Sequence, residues 1–459
     1  AQRHRRSLAA RWRCCSARCE REPKQSSLLG SRHARESARS RRLREMAHDR
    51  VYWVGKHASR GWGACVGKLH REGMQVLRQH GWREVSTCTD DIPAFCWMTR
   101  RSGDFPASGD GLPLVRQLPQ EATAALDDKR FLALSMIAAG CEADIPPTHV
   151  DVGALLERLE GDAAAEETLW FLKHRHGVKG QGVVPLHGLT ALRRVVDRMD
   201  ASKRGQFVVQ AEVPPLLLAD GRRFAMRSHV LLDVGREARR RPRAWHHRDV
   251  LLLPHAAAYA PRSDCKAVHV SQAGKNHPRP FLLGEQRKQQ QQQHAAPATA
   301  PEEGAGGVAG DDVGIAGDTA GGGGRVADVT VVAAGGASEA PIDCTFSRHV
   351  DEARVRERMG SLVWRSLRAA RGSLVPRPRC ARSHLYALLA YDWVLDARGE
   401  PVLLEVNSHP AIADGTMAAV PRDVYTTLVR DVLGALVLPA LEGRPPEPGG
   451  FEPVDGWAG

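Results

Sequence analysis

The sequence has no long uninterrupted hydrophobic run and no regular arrangement of cysteines. No apolar run approaches 18 residues, so we expect no membrane-spanning segment. The ten cysteines include no CxxC pair and show no even spacing. This pattern favours reduced thiols in the cytosol over a disulfide framework or a structural zinc site.

Little positive charge remains outside the N-terminal segment. Residues 1–50 contain fifteen Lys and Arg against five Asp and Glu, a net +10. Because the whole chain has a net charge of +12, the other 409 residues carry only +2. A globally basic surface is absent, so we expect no nucleic-acid partner. Residues 1–50 also lack the apolar segment of a secretory signal, and we expect a disordered basic tail there.

Composition divides the chain into segments of different character. A strand-like pattern begins at Val51, and a Gln run at residues 289–293 precedes a stretch of Ala, Gly, Pro and Asp with few large apolar residues. The predicted organisation is a tail over 1–50, an N-terminal α/β domain over 51–125, a central lobe over 126–213, a second lobe over 214–440 with a disordered insertion at 283–340, and a tail over 441–459.

A β-hairpin is predicted near residue 400, where two apolar runs flank the turn sequence DARGE at 396–400. A turn centred between residues 398 and 399 places Asp392 opposite Glu405, with Asn407 on the same face. Carboxylates inside apolar strands are costly unless paired, and hard oxygen ligands suit Mg²⁺. The sequence therefore predicts a metal site, and the alternative is a hairpin whose acids face water.

A lysine at the end of a predicted strand is followed by closely spaced glycines. The strand WFLK ends at Lys173, and Gly177, Gly180 and Gly182 follow before the strand resumes. Backbone N–H groups of such a loop can approach phosphate oxygens, and the lysine adds a point charge. We predict a phosphate-binding loop, and the alternative is an ordinary glycine-containing hairpin.

Both motifs resemble those of the tubulin–tyrosine ligase-like family of ATP-grasp amino-acid ligases. The segment LLAYDWVLDARGEPVLLEVNSHPAI at residues 388–412 is similar to the family's metal-binding hairpin, which reads roughly GYDF, a polar turn and WLLEVN-x-x-P. The thirteen-residue step from Asp392 to Glu405 is the same. The segment at residues 170–183 is similar to the family's W-[IF]-x-K and x-G-x-G-[IV] elements.

The resemblance implies an α/β (α+β) protein with an ATP-grasp fold, in which two α/β lobes clamp ATP behind a small N-terminal α/β domain. It implies an ATP-dependent carboxylate–amine ligase that uses ATP and Mg²⁺. An acyl-phosphate formed on a protein carboxylate would be attacked by an amino acid to give an amide or isopeptide bond. The implied partners are a free amino acid as donor and the acidic tails of tubulin on cytoplasmic or ciliary microtubules, without a membrane.

The resemblance also assigns roles to individual residues. It makes Arg223 and Arg227 catalytic residues that stabilise and orient the acyl-phosphate, and Asp392, Glu405 and Asn407 metal ligands. The implied ATP contacts come from the central lobe and the start of the second lobe: Lys129, Lys173, Gly180, Gln181, Gly182, Gln210, Glu212, Val213, Arg223 and Ser271.

Several positions depart from the family pattern. Ala225 stands where the family has Asp, Leu253 where it has Arg, Arg223 where it has Lys, and Ala211-Glu212 where it has Lys-Tyr. These departures affect the amino-acid pocket more than the nucleotide pocket. Two alternatives therefore stay open: a nucleotide-binding, catalytically impaired member that holds microtubules, and an ATP-grasp ligase acting on a non-tubulin acceptor.

Overall fold

The structure is a computed structural model of the chain. It describes residues 51–54, 74–85, 95–97, 115–177, 180, 182–235, 242–271, 280–283, 350–374, 383–410 and 422–454. The predicted tail over 1–50, most of the predicted insertion at 283–340 and the predicted site residue Gln181 lie outside these ranges. Helices and β-sheets both occur along the described chain, which is the α+β composition that the sequence predicts.

One large sheet holds eleven of the described strands, in the order β12-β11-β9-β13-β4-β3-β1-β2, with β14 beside β13 and β10 between β9 and β15. The long strands β9 and β13 lie antiparallel at its centre. The strands are β1 (Val51–Val54), β2 (Arg83–Val85), β3 (Phe95–Trp97), β4 (Val115–Gln117), β9 (Arg222–Gly235), β10 (Arg243–His247), β11 (Leu251–Ala258), β12 (Phe281–Leu282), β13 (His384–Leu395), β14 (Pro401–Asn407) and β15 (Phe451–Pro453).

The strands of the predicted N-terminal domain continue this sheet. Strand β4 pairs in parallel with β13, and β3 and β1 extend the sheet beyond it. Strands from residues 51–117 therefore share one hydrogen-bonded sheet with the strands that carry the predicted metal site.

A second, antiparallel sheet has the order β5-β8-β6-β7. Its strands are β5 (Thr148–His149), β6 (Leu169–His174), β7 (Val183–His187) and β8 (Phe207–Ala211). Because side chains alternate along β6, Trp170 and Leu172 pack in a hydrophobic cluster with the neighbouring helices, whereas Phe171 and Lys173 line a cleft. The alternation thus presents the predicted phosphate-binding lysine to the cleft.

Helices cover the faces of both sheets. They are α1 (Gln75–Gln79), α2 (Gln120–Asp127), α3 (Lys129–Ala138), α4 (Val152–Arg158), α5 (Ala163–Glu166), α6 (Leu189–Asp197), α7 (Ala201–Arg204), α8 (Lys266–His269), α9 (Glu352–Leu374), α10 (Arg422–Val432) and α11 (Leu438–Glu442). A π-helical turn at Leu433–Val437 joins the last two. Asp128 caps the start of α3, because its carboxylate accepts the backbone N–H groups of Arg130 and Phe131.

Two hydrophobic clusters lie on opposite faces of the large sheet. Phe224 and Met226 of β9 belong to the cluster that includes α9, whereas Ala225 and Leu231 belong to the cluster that includes α10. The alternation of β9 therefore places Arg227, two residues from Ala225, on the α10 side.

One described helical segment, at the C-terminal end, is unusually long and apolar. Residues Asp423–Glu442 are long and apolar enough to cross a bilayer by length and composition, although 61% of the apolar window is buried inside the protein. The expectation of no spanning segment considered only uninterrupted apolar runs, and polar residues such as Asp431 interrupt this one. Length and composition alone do not separate a core helix from a membrane helix.

We expect Leu362→Ala to lower the free energy of unfolding by about 2–5 kcal/mol, because truncating a fully buried leucine leaves a cavity. Leu362 lies on α9 with 0% of its surface exposed. Ile137→Ala on α3 is the control, because that side chain is 41% exposed and its truncation should cost about 0.5 kcal/mol or less. Urea unfolding checks both values, and equal losses would contradict this packing.

Candidate functional site

The hairpin of β13 and β14 pairs Asp392 with Glu405, as the sequence predicts. The register nearer the turn differs from the prediction, because Trp393 pairs with Leu403 and so shifts the pairing by one residue. A β-bulge at Leu404 absorbs the extra residue. The predicted pairing of the two carboxylates therefore depends on a bulge that the sequence pattern did not show.

The bulge also decides which side chains face the cleft. Leu403 and Val406 both pack into the core, although three positions separate them. Leu404, Glu405 and Asn407 line the cleft instead. The two-residue alternation of an unbulged strand would not place Leu404 and Glu405 on the same side.

Asp392 is held by the guanidinium group of Arg227 on the neighbouring strand β9. Arg227 Nε donates to Asp392 Oδ1 at 2.7 Å and a terminal nitrogen donates to Oδ2 at 2.8 Å. Burial raises the pKa of Asp392, and the charge of Arg227 opposes that rise. Asn407 Nδ2 lies 3.1 Å from Asp392 Oδ2 and 3.5 Å from Glu405 Oε1. The three predicted metal ligands therefore converge.

Lys129 joins this hairpin to the glycine loop. Its Nζ lies 2.8 Å from Glu405 Oε2 and donates to the carbonyl oxygen of Gly177 at 2.9 Å. Burial alone would raise the pKa of Glu405, but the charges of Lys129, Lys173 and Arg227 lower it to about 2. Glu405 is therefore ionised at neutral pH.

Lys173 is a desolvated cation in the same cleft. Burial is the largest influence on its pKa, which falls to about 8. The carboxylate of Glu405 opposes that fall, whereas the charges of Lys129 and Arg223 add to it. An anionic ligand would stabilise the charged form of Lys173, which burial disfavours.

The glycine loop closes tightly on β6. Gly180 and Gly182 have φ angles of 68° and 74°, a region that favours glycine. A Cβ atom at Gly182 would lie 2.9 Å from the Cβ of His174, whose backbone N–H donates to the carbonyl oxygen of Gly182. Gly177 and Gly180 line the cleft, whereas Gly182 contacts His174 at the point where β7 begins to pair with β6.

Arg223 forms a further ion pair with Glu212. A terminal nitrogen of Arg223 donates to Glu212 Oε1 at 2.6 Å, and the hydroxyl of Tyr259 donates to Oε2 at 2.9 Å. Burial raises the pKa of Glu212 and of Tyr259. Sequence reasoning gave Glu212 only a backbone contact with adenine, whereas its side chain compensates the charge of Arg223.

Two buried hydrogen-bond acceptors lie in the cleft wall. Gln210 Nε2 donates to Thr148 Oγ1 at 3.0 Å, and Gln210 Oε1 has no partner among the described residues. His269 Nε2 lies 2.7 Å from the carbonyl oxygen of Ser263 and must carry the hydrogen, which leaves Nδ1 as an acceptor. That atom also lacks a partner within the described part of the chain. Sequence reasoning missed His269, although it lies two residues before the predicted contact Ser271.

The two departures Ala225 and Leu253 are direct cross-strand partners on β9 and β11. Both line the cleft and both belong to the hydrophobic cluster on the α10 side of the sheet. The structure therefore joins two separate sequence differences into one apolar patch.

Most of the predicted site residues line one cleft between the two sheets. Lys129 and Glu212 adjoin the cleft through their ion pairs with Glu405 and Arg223. The carbonyl oxygen of Gly182 accepts from the backbone N–H of His174. Gln181 is outside the described residues. The predicted residues that line the cleft are Lys173, Gly180, Gln210, Val213, Arg223, Arg227, Ser271, Asp392, Glu405 and Asn407.

We expect Lys173→Met to raise the free energy of unfolding at pH 7, because methionine lacks the ammonium group that burial penalises. The folded pKa of about 8 lies below the usual 10.5, so the penalty is complete below pH 8 and disappears as the pH rises to about 10.5. Urea unfolding at pH 7, 9 and 10.5 measures the gain and its decline. Lys203→Met, at an exposed position on α7, is the control. A gain that is absent at pH 7, or that does not change with pH, would be inconsistent with a desolvated Lys173.

Comparison with known proteins places the hairpin in a recognised family. Residues 342–445 match the family model described as the tubulin-tyrosine ligase family, and this segment contains Asp392, Glu405 and Asn407. No curated protein sequence matches the chain. Members of the family are generally ligases. Residues 342–445 of this chain are therefore similar to the tubulin-tyrosine ligase family, as the hairpin motif predicts.

Proposed function

We propose that the protein is an ATP-dependent ligase with an ATP-grasp fold that joins a free amino acid to a carboxylate on an acidic tubulin tail, as a tyrosine ligase or polyglutamylase. It would act on microtubules in the cytoplasm or the cilium. The observation that carries the proposal is the convergence of Asp392, Glu405 and Asn407 beside Lys129 and Lys173. Carboxylates and cations at such close range suit a bound metal and phosphate together.

The residues present fit ATP and Mg²⁺. Glu405 stays ionised and Asp392 adds a second carboxylate, which are ligands that Mg²⁺ prefers, while the amide of Asn407 hydrogen-bonds to both carboxylates. Gly180 lines the cleft and has no Cβ atom, so a phosphate could approach its backbone closely. The unpartnered Oε1 of Gln210 is an acceptor that matches the exocyclic amine of adenine.

The contribution of the chain would be positioning and electrostatic stabilisation. When bound, ATP with Mg²⁺ would supply the phosphoryl group that activates the acceptor carboxylate as an acyl-phosphate, with ADP leaving, and the donor amine would then displace phosphate and lose a proton to form the amide. Lys129 and Lys173 stabilise negative charge on the phosphate oxygens. Arg227 is fixed by its two hydrogen bonds to Asp392, so its guanidinium group orients the activated carboxylate without reorganising. Arg223 contributes less to phosphate stabilisation, because its charge is already compensated by the ion pair with Glu212.

One alternative is a nucleotide-binding member that holds microtubules without catalysing ligation. The observation that favours it is the apolar pair that Ala225 and Leu253 form in the cleft wall, at positions where the resembled family has polar residues. The same observation is compatible with a ligase that uses an acceptor other than tubulin.

A screen with labelled amino acids tests the proposal. We expect incubation with ATP, Mg²⁺ and tubulin to incorporate at least one labelled amino acid into tubulin, and removal of the acidic tails by limited proteolysis to abolish the incorporation. ATP binding without incorporation would favour the non-catalytic alternative. ATP turnover with label in another protein of a mixed extract would favour the non-tubulin acceptor.

We expect Glu405→Gln to reduce ATP turnover at least ~100-fold, because it removes a charged ligand next to the transferred phosphate. The variant also leaves Lys129 without its carboxylate partner, so we expect a loss of roughly 1–3 kcal/mol in unfolding free energy. Glu400→Gln in the same hairpin is the matched control, since Glu400 pairs with Arg354 away from the cleft. Wild-type turnover in Glu405→Gln, with normal folding by circular dichroism, would refute the assignment.

A further inference from the structure

Two consecutive acidic residues, Asp127 and Asp128, lie where α2 ends and α3 begins. Asp127 is the last residue of α2, and Asp128 is the N-terminal cap of α3, directly before Lys129. The backbone at Asp128 is extended, with φ −88° and ψ 116°, so this one residue separates the two helices. We name Asp127 and Asp128 the acidic junction. Each of its carboxylates contacts a segment that leaves one of the two sheets beside the cleft.

Asp127 holds the end of the hairpin of β13 and β14. Its Oδ2 accepts a hydrogen bond from the hydroxyl of Ser408 at 2.8 Å, and its Oδ1 accepts one from the backbone N–H of Ser408 at 3.4 Å. Ser408 is 2% exposed and directly follows Asn407, the last residue of β14. The contact therefore fixes the end of the predicted metal site against α2.

Asp128 holds the start of the glycine loop. Its Oδ1 caps α3, whereas its Oδ2 accepts a hydrogen bond from Nε of Arg175 at 2.7 Å. A terminal nitrogen of the same guanidinium group lies 2.5 Å from Oδ2, and the group stacks over the ring of Phe131, 4.8 Å from its centroid. Arg175 lies two residues after Lys173 and two before Gly177. The contact therefore fixes the loop against α3.

We infer that the acidic junction sets the distance between the hairpin of β13 and β14 and the glycine loop, so that a metal ion on the hairpin meets phosphates on the loop. The inference rests on the proposed function. Neither Asp127 nor Asp128 lines the cleft, so both are positioning residues that act through Ser408 and Arg175. Mg²⁺ demands near-ideal geometry, and a displacement of about 1 Å is enough to impair such a site.

Calorimetric titration with a non-hydrolysable ATP analogue, in Mg²⁺ and in EDTA, tests the inference. The ratio of the two dissociation constants is the Mg²⁺-dependent gain. We expect Asp128→Asn to lower this gain at least ~10-fold, the loss typical of a residue that orients metal ligands from outside. Asparagine still caps α3 but lacks the charge that pairs with Arg175. We expect the dissociation constant in EDTA to stay near the wild-type value, because the distance to the hairpin matters only when the metal bridges it.

Asp162→Asn is the matched control, because Asp162 caps α5 by accepting two backbone N–H groups. It should keep the wild-type gain. Should Asp128→Asn fail to fold, as judged by circular dichroism, Arg175→Gln removes the same ion pair from the loop side and should show the same loss. The two changes together should lose no more than the larger single loss, because they break one interaction. An additive loss would contradict the inference.

Ser408→Ala tests the contact with Asp127, because it removes a hydroxyl that does not line the cleft. We expect it, too, to lower the Mg²⁺-dependent gain at least ~10-fold. Ser366→Ala is the control for loss of a buried hydroxyl. Ser366 is 0% exposed and bonds to the hydroxyl of Tyr391 within the core, so its removal should leave the gain unchanged.

The outcomes separate this inference from the proposed function. If the wild-type protein shows no Mg²⁺-dependent gain, the proposed function is refuted and the inference with it. A wild-type gain that Asp128→Asn or Ser408→Ala retains when folded would overturn the inference and leave the ligase standing. Equal weakening of binding in Mg²⁺ and in EDTA would indicate a general loss of cleft structure and would also overturn the inference.

Discussion

The buried ion pair between Arg227 and Asp392 is the constraint on which the rest of the site depends. It joins the two central strands, β9 and β13, through two hydrogen bonds. Removing one partner of a buried pair leaves an uncompensated charge, so the pair strongly disfavours any other register. A one-residue slip of β9 would turn Arg227 into the cluster that holds Phe224 and Met226. The pair therefore fixes which residues reach the cleft.

Charge compensation offsets much of the free-energy cost of burying several cations in one cleft. Lys129 is paired with Glu405, Arg223 with Glu212 and Arg227 with Asp392. Lys173 carries a desolvation penalty that these contacts do not remove. A phosphate would therefore meet a site whose charges are arranged in advance, and its main electrostatic gain would come from Lys173.

The pairing of Ala225 with Leu253 changes how the departures from the family are interpreted. In the sequence they are two separate departures from the resembled pattern, 28 positions apart, each expected to weaken an amino-acid pocket. In the structure they form one cross-strand contact that is continuous with the core. Because both side chains are apolar, this contact buries no polar side chain that would need a partner.

The sequence by itself determined the local features. The hairpin and the glycine loop after Lys173 follow from strand alternation and turn chemistry over fewer than 25 residues. The sequence also predicted that Asp392 pairs with Glu405, but this pairing arises in the structure from a shifted turn register combined with a bulge. The bulge at Leu404 was not predictable, because an extra residue in one strand is visible only against its partner. Only the tertiary structure decided that Lys129 reaches Glu405, that Glu212 compensates Arg223 and that Leu253 lies on Ala225. These contacts join distant segments, and local periodicity carries no information about which distant strand or helix a side chain will meet.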